Sequence, residues 1–384
     1  MPLLSRRVAL VVATLVVAGC GRAVGPTVPP GGSLSTLPSP APSVATTPAP
    51  TEAEPTAAAG IDAIAAQVQG FADAIARVGT GITVYVRVGA DERIVVAGLA
   101  SRSPKLAMAP DVRFQIASVS KPMTATVVMS LVEAGTLSLD DPVSKWLPDL
   151  LDDGDTITVE QLLTHTSGLY NVTQLASWSW TGPTYSATEL VELAEANGRA
   201  FAPGERAEYS NTGFVVLGLV IEAATGGSLR RAMREVVFRP AGMASADLGA
   251  RPVTGFEQAR GYSIGNDVTY DSLDGLTAAG GVVATAEDVG HFLDALMEGR
   301  LVGADSVAKM IAVHSELDGD DSYGFGIDPF AFDCRPLIGH LGQLPGFASS
   351  AWRSVDGSRT VVVLVNDEPY PEGDEAVLSA ALCD

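Results

Sequence analysis

The chain has 384 residues, long enough for one large domain with appendages or for two domains. Its net charge of -21 and its singly spread basic residues argue against nucleic acid or an anionic membrane face as a partner. The hydrophobic content of 47% is ordinary for a chain that buries a sizeable core.

The N-terminus has the pattern of a bacterial export signal. Arg6 and Arg7 precede an apolar run, Val8–Gly19, which is too short to span a bilayer. Cys20 follows this run directly after two small residues, which resembles the lipobox of bacterial lipoproteins. We therefore expect a signal peptide over 1–19, lipidation of Cys20 and anchoring to the outer face of the bacterial cell membrane. A plain signal peptide with an incidental cysteine is the alternative.

Residues 20–59 are rich in Pro, Ser, Thr and Ala and carry little charge. Such a segment cannot bury enough apolar surface to fold, and its proline content favours an extended chain. We expect a tether that lifts a folded domain, residues 60–384, off the membrane.

Each end of this domain combines a helix pattern with two strand-like runs. At the N-terminal end we predict a helix at 61–78 and strands at 82–88 and 93–99. At the C-terminal end we predict strands at 347–352 and 360–365 and a helix at 372–382. The stretch between them is mostly helical in pattern, including Glu189–Ala196 and Phe214–Ala224. This order predicts an α+β fold in which an antiparallel sheet, assembled from both chain ends, is flanked by the terminal helices. A mostly helical subdomain is inserted, and the cleft beside it is the default site.

The chain contains three cysteines. If Cys20 carries lipid, Cys334 and Cys383 remain as a pair in an oxidising compartment, so we predict a disulfide between them. Two separate buried thiols are the alternative. No Cys/His cluster has metal-ligand spacing, and we expect neither a metal nor a cofactor.

Ser118 stands three residues before Lys121. On a helix these side chains share one face, and a neutral lysine amine there can accept the proton of the serine hydroxyl. Pro122 is tolerated in a first helical turn, which favours a helix that begins close to Ser118. Ser306 and Lys309 repeat the spacing, and an ordinary polar pair on a helix face is the alternative for either copy.

Two further motifs favour the first copy. Tyr209-Ser210-Asn211 is the only Tyr-x-Asn in the chain, and His340-Leu341-Gly342 is the only His-x-Gly. The order of the three motifs resembles that of the serine hydrolases that include class C β-lactamases and DD-carboxypeptidases. The flanking sequences that carry this resemblance include FQIASVSKPMTA, ITVEQLLTHTSGL, FAPGERAEYSNTGFVVLG and GHLGQLPGF. It covers about residues 110–350 and implies the β-lactamase/transpeptidase-like form of the fold predicted above.

The resemblance also implies roles for individual residues. Ser118 would attack a carbonyl to form an acyl-enzyme, and Lys121 and Tyr209 would share its proton, with the identity of the base left open. Asn211 would contact Lys121 and the substrate. The backbone N–H groups of Ser118 and Gln343 would form the oxyanion hole.

Each of these residues also has a structural interpretation. Tyr209 fits a buried tyrosine, Asn211 a helix N-cap and His340 a strand histidine. We assign His165, in the segment Thr164–Gly168, to structure.

The third motif departs from the Lys-Thr-Gly of many relatives. Leu341 offers no side-chain hydrogen bond, and a histidine such as His340 is mostly neutral at pH 7. With Gly342 completing the motif, we expect intact acyl transfer but weakened recognition of a substrate carboxylate. The leading prediction is a DD-carboxypeptidase-like or D-amino-acid peptidase that acts on cell-wall peptides. Alternatives are a carboxylesterase, a β-lactamase, or a non-catalytic penicillin- or wall-binding lipoprotein.

Overall fold

The computed structural model describes residues 57–76, 79–180, 183–249, 255, 257–269, 274–317, 321–368 and 374–383. The predicted signal peptide, Cys20 and the tether up to residue 56 lie outside the described residues. The first helix begins at Ala57, so the folded part starts slightly before the predicted boundary at residue 60.

The helices and strands are numbered along the described chain. The helices are α1 (Ala57–Ala76), α2 (Lys121–Glu133), α3 (Val143–Trp146), α4 (Val159–Leu163), α5 (Ala187–Glu195), α6 (Asn211–Thr225), α7 (Leu229–Met233), α8 (Arg239–Ala241), α9 (Thr277–Gly280), α10 (Ala286–Met297), α11 (Ala304–Ile311) and α12 (Asp374–Leu382). The strands are β1 (Ile82–Val88), β2 (Asp91–Ala97), β3 (Leu99–Arg102), β4 (Lys105–Ala107), β5 (Phe114–Gln115), β6 (Asp247–Leu248), β7 (Tyr262–Ser263), β8 (Asn266–Asp267), β9 (Val282–Ala284), β10 (Ser315–Leu317), β11 (Asp321–Tyr323), β12 (Asp328–Phe332), β13 (Arg335–Leu344), β14 (Phe347–Ser354), β15 (Arg359–Val365) and β16 (Asp367–Glu368).

The central sheet has the strand order β12-β13-β14-β15-β1-β2, and every neighbouring pair is antiparallel. Strands β1 and β15 come from opposite ends of the domain and pair from Ile82–Val365 to Val88–Arg359. Their β-branched, apolar residues suit a strand that is covered on both faces. The predicted α+β fold, with a sheet assembled from both chain ends, is confirmed.

Among the described helices, three cover this sheet. Helix α1 packs on β1 and β2, α12 packs on α1 and β15, and α10 packs on β1, β14 and β15. The carboxylate of Asp294 on α10 accepts hydrogen bonds from Arg87, Arg353 and Thr360, which lie on three different strands, at 2.7, 2.8 and 2.8 Å. This buried ionic cluster fastens α10 to the sheet.

The helical region is built around α6, whose residues from Thr212 to Ile221 are almost all buried. No single helix in the described ranges is long and apolar enough to cross a membrane, although the bent pair Asn211–Thr225 and Leu229–Ala241, at 84°, passes that test jointly.

The Cys334–Cys383 disulfide joins the turn between β12 and β13 to the chain just after α12, with a Cα–Cα distance of 5.7 Å. It therefore ties the last helix to the sheet.

The first hairpin differs from its prediction in one strand. We expected the second run at 93–99, but β2 covers Asp91–Ala97 because a tight turn at Gly89 and Ala90 replaces the expected four-residue turn. Gly89 has a φ of +60°, which glycine adopts without strain.

Candidate active site

Ser118 lies on a 3-10 turn, Ala117–Ser120, that leads directly into α2. Ala117 has a φ of +50°, a left-handed conformation that costs a non-glycine residue about 1–2 kcal/mol. The Ser120 hydroxyl donates to the Ala117 carbonyl at 2.7 Å and accepts from the Val282 N–H at 3.1 Å. These bonds hold the strained turn, which presents Ser118 half-buried.

The Lys121 amine is fully buried and faces three oxygen atoms. Its Nζ donates to the Asn211 Oδ1 and to the Ala279 carbonyl, both at 2.8 Å, and lies 3.1 Å from the Ser118 Oγ. Burial lowers the pKa of Lys121 well below its usual value, while the charge of Asp328 acts in the opposite direction. A neutral amine that donates to Asn211 and Ala279 would direct its lone pair at the Ser118 hydroxyl.

The Tyr209 hydroxyl lies 2.8 Å from the same Ser118 Oγ. Burial raises the pKa of Tyr209 well above its usual value, although the bond to Ser118 lowers it and the charge of Asp328 raises it further. Tyr209 therefore keeps its proton and can donate it towards Ser118.

Asn211 is the first residue of α6, and its amide connects two parts of the site. Its Nδ2 donates to the Thr173 Oγ1 at 3.1 Å, while its Oδ1 faces Lys121. Ser210 occupies the N-cap position, so the alternative of Asn211 as an N-cap is wrong. Thr173 was not predicted from the sequence, because nothing in its surroundings signals this contact.

His340 lies on β13 with both ring nitrogens engaged. Its Nδ1 donates to the Leu341 carbonyl, and its Nε2 lies 3.2 Å from the Tyr323 hydroxyl. In a neutral ring that donates at Nδ1, Nε2 would accept from the Tyr323 hydroxyl. Tyr323 carries no motif that would have predicted this role.

Gly342 lets β13 approach the turn that carries Ser118. A Cβ at this position would lie 2.5 Å from the Ile116 carbonyl oxygen, closer than real contacts allow. Gln343 follows on the same strand, opposite Ala348. The first half of β13 is not at the edge of the sheet, because β12 pairs with Arg335–Gly339.

The second serine–lysine pair has no comparable surroundings. Ser306 is buried and Lys309 exposed on α11, and no hydrogen bond joins their side chains among those of the described residues. The structure thus brings together Ser118, Lys121, Tyr209 and Asn211, with His340 nearby, and leaves Ser306 outside the site.

Glu92, Glu287 and His291 lie close enough to hold a metal ion, with ligand atoms within 4.8 Å of one another. However, the Glu92 carboxylate already accepts a bond from the Tyr85 hydroxyl at 2.8 Å, and Glu92 and His291 are partly open to solvent. Exposed acidic groups commonly approach one another in this way, so we assign no metal here.

A serine hydroxyl between a buried lysine amine and a tyrosine hydroxyl, on this sheet-and-helix fold, defines a serine hydrolase. The family model described as Beta-lactamase matches residues 61–382. The chain belongs to this family.

Individual relatives span several activities. Penicillin-binding protein 4* of Bacillus subtilis is 29% identical over 311 residues, which cover 74% of this chain and 67% of that protein. Esterase EstB of Burkholderia gladioli is 39% identical over 167 residues, 38% of this chain and 41% of the esterase. Among solved structures, a D-stereospecific amidohydrolase from Streptomyces sp. aligns with a TM-score of 0.75 and 29% identity, over 83% of this chain and 98% of that chain.

Proposed function

We propose that this serine hydrolase cleaves amide bonds at D-amino acids in cell-wall peptides, as a DD-carboxypeptidase-like or D-amino-acid peptidase enzyme. The observation that carries the proposal is the convergence of Lys121 and Tyr209 on one hydroxyl, that of Ser118. The names of a penicillin-binding protein and a D-stereospecific amidohydrolase among its relatives support this substrate class.

In the proposed reaction, neutral Lys121 takes the proton of Ser118 as its Oγ attacks the substrate carbonyl. The backbone N–H groups of Ser118 and Gln343 stabilise the oxyanion. Tyr209, which keeps its proton because it is buried, protonates the leaving amine, and Lys121 returns a proton to Tyr209. Water then attacks the acyl-enzyme by the same path in reverse and releases the acid and free Ser118.

Lys121 is the better candidate for the base of the two partners. Burial favours its neutral form, which is the form that accepts a proton, whereas burial also favours protonated Tyr209, which can only donate. Asn211 and Ala279 orient the amine, so its lone pair needs no reorganisation at the moment of reaction.

A carboxylesterase is the second candidate. Both ring nitrogens of His340 already have hydrogen-bond partners and the Leu341 side chain has no polar group, so the third motif offers a substrate carboxylate few free donors. This favours a neutral substrate, and the match to an esterase agrees with it.

We also propose that the protein is exported and anchored by lipid at Cys20, with 20–56 as its tether. The apolar run Val8–Gly19, which Cys20 follows directly, supports this location. Cys20→Ala should move the protein from the membrane fraction to the soluble fraction, and an unchanged distribution would contradict the anchor.

The function is tested with the purified protein and four probes: a D-alanyl-D-alanine peptide, a D-amino-acid amide, an aryl acetate and a fluorescent penicillin. Product analysis and intact mass should show turnover of the D-alanyl-D-alanine peptide or the amide, and Ser118→Ala should abolish both turnover and acylation. Ser306→Ala is the matched control and should behave like the wild type. Turnover of the acetate alone would favour the esterase, and acylation of Ser118→Ala would refute the assignment of the nucleophile.

A further inference from the structure

His165 restrains the chain on both sides of Tyr209. Its main-chain carbonyl accepts from the N–H of Glu208 at 3.0 Å, and its Nδ1 accepts from the N–H of Ser210 at 3.2 Å. Between these two residues stands Tyr209, whose ring centroid is 4.4 Å from the imidazole. One residue therefore holds both neighbours of Tyr209 and covers its ring.

The backbone of His165 adopts an unusual conformation to do this. Its φ is +59°, in the left-handed region that residues other than glycine rarely occupy, and its side chain is buried at 2% exposure. Strained conformations of this kind persist only where the surrounding structure enforces them, and they are concentrated at functional sites.

Packing alone does not account for an imidazole at this position. The Nδ1 of His165 accepts a hydrogen bond, so in the neutral ring the hydrogen is on Nε2. This Nε2 is buried and has no hydrogen-bond partner among the described residues. An apolar side chain would fill the same volume without burying an unpaired N–H group. The useful property of His165 is thus its acceptor, Nδ1.

The surroundings of His165 keep that acceptor available. Burial lowers the pKa of His165 well below its usual value, and a positive charge on Lys121 or His340 would lower it further. The other titratable groups that face its ring are the phenols of Tyr209 and Tyr323. A protonated His165 would lose its bond to Ser210.

We propose that His165 is a positioning residue for acyl transfer: its Nδ1 holds the Ser210 N–H so that the Tyr209 hydroxyl stays within hydrogen-bonding distance of the Ser118 Oγ. This inference rests on the proposed function. Small displacements of a reacting group lower the rate strongly, by roughly 10²-fold for about 1 Å. Loss of the acceptor should therefore lower kcat far more than it raises KM.

Two substitutions distinguish the contribution of the Nδ1 acceptor from that of the volume of the ring. His165→Asn places an amide oxygen where Nδ1 stood, because both atoms are bonded to Cγ, and asparagine tolerates a positive φ. His165→Leu keeps the apolar volume but removes the acceptor. His314→Leu is the matched control, since His314 is exposed and its Nε2 bonds only the Lys309 carbonyl in the described structure.

The measurement is kcat and KM on whichever neutral aryl ester or D-amino-acid amide the wild type cleaves. We expect His165→Leu to lower kcat by about 10²-fold, with KM within about threefold, and His165→Asn to stay within about tenfold of the wild type. His314→Leu should leave both constants unchanged. If the leucine variant fails to fold, His165→Gly, which accepts the positive φ but has no acceptor, takes its place in the comparison.

Two results would overturn the inference. One is a leucine or glycine variant with wild-type kcat, and the other is a folded asparagine variant as slow as the variant without an acceptor. A wild-type protein that cleaves none of the substrates would instead refute the proposed function.

Discussion

The side-chain amide oxygen of Asn211 accepts a hydrogen bond from the Nζ of Lys121 at 2.8 Å, although 90 positions separate the two residues. With the Ala279 carbonyl taking a second N–H, the remaining side of the amine faces Ser118. The amide is neutral, so it orients Lys121 while favouring the charged form of the amine much less than a carboxylate would.

Asn211→Asp should therefore inactivate the enzyme through charge. A carboxylate beside the buried amine favours its protonated form, which raises the pKa of Lys121 and removes the base at neutral pH. We expect acylation at pH 7 to fall by about 10²-fold and to recover partly as the pH is raised. Asn197→Asp, on an exposed turn, should have no effect. The pre-steady-state rate of acylation between pH 6 and 10 decides this, and an equal loss at every pH would contradict it.

Removing the carboxylate of Asp328 should change the pKa of Lys121 in the opposite direction. The charge of Asp328 raises the pKa of Lys121, so Asp328→Asn should lower that pKa. Activity requires the neutral amine, which is present above the pKa of Lys121, so the acid limb of the kcat/KM profile should move to lower pH. The pKa of Tyr209 should fall too, but from well above 10, outside the assayed range. An acid limb that stays in place, or shifts equally in the exposed control Asp305→Asn, would contradict this.

Strands were predictable where their residues alone determine them. The run Thr360–Val365 is apolar and mostly β-branched, and β15 forms there. Strand β2, in contrast, was misplaced because the tightness of the turn at Gly89 depends on how β1 and β2 pair, which no single residue encodes.

From the sequence, only those site residues were predictable whose side chains have distinctive chemistry. Ser118, Lys121 and Tyr209 are chemically distinctive, whereas Ala279 contributes a backbone carbonyl that any residue would supply. We assigned His165 to structure, and the structure shows that it also borders the site. Its contact with Tyr209 depends on a backbone conformation that the sequence does not reveal.

The buried cluster around Asp294 should dominate the stability of the sheet. In Asp294→Ala, the guanidinium groups of Arg87 and Arg353, now 2.6 and 2.8 Å from the carboxylate, would be left buried without it. Breaking a buried ionic cluster on one side typically costs about 3–5 kcal/mol. Glu298→Ala, which breaks the exposed pair with Arg300, should cost about 1 kcal/mol or less. Urea unfolding measures both free energies, and similar values would contradict the role of the cluster.

The third motif should make the rate of turnover depend on the charge of the substrate. A carboxylate-bearing substrate needs a cation and hydrogen-bond donors at its anionic end, because an unpaired buried carboxylate is costly. The Nδ1 and Nε2 of His340 already contact the Leu341 carbonyl and the Tyr323 hydroxyl. Leu341 adds no donor from its side chain. We therefore expect slow turnover of penicillins and comparatively fast turnover of neutral aryl esters.

The double variant His340→Lys with Leu341→Thr should shift this preference. It supplies one charge and one hydroxyl, and each charged hydrogen bond is worth roughly 1.5–3 kcal/mol. The ratio of kcat/KM for penicillin to that for the ester should then rise by about one to two orders of magnitude. Both substrates are measured on wild type and double variant at the same pH. Efficient penicillin hydrolysis by the wild type, or an equal change for both substrates, would place carboxylate recognition elsewhere in the cleft.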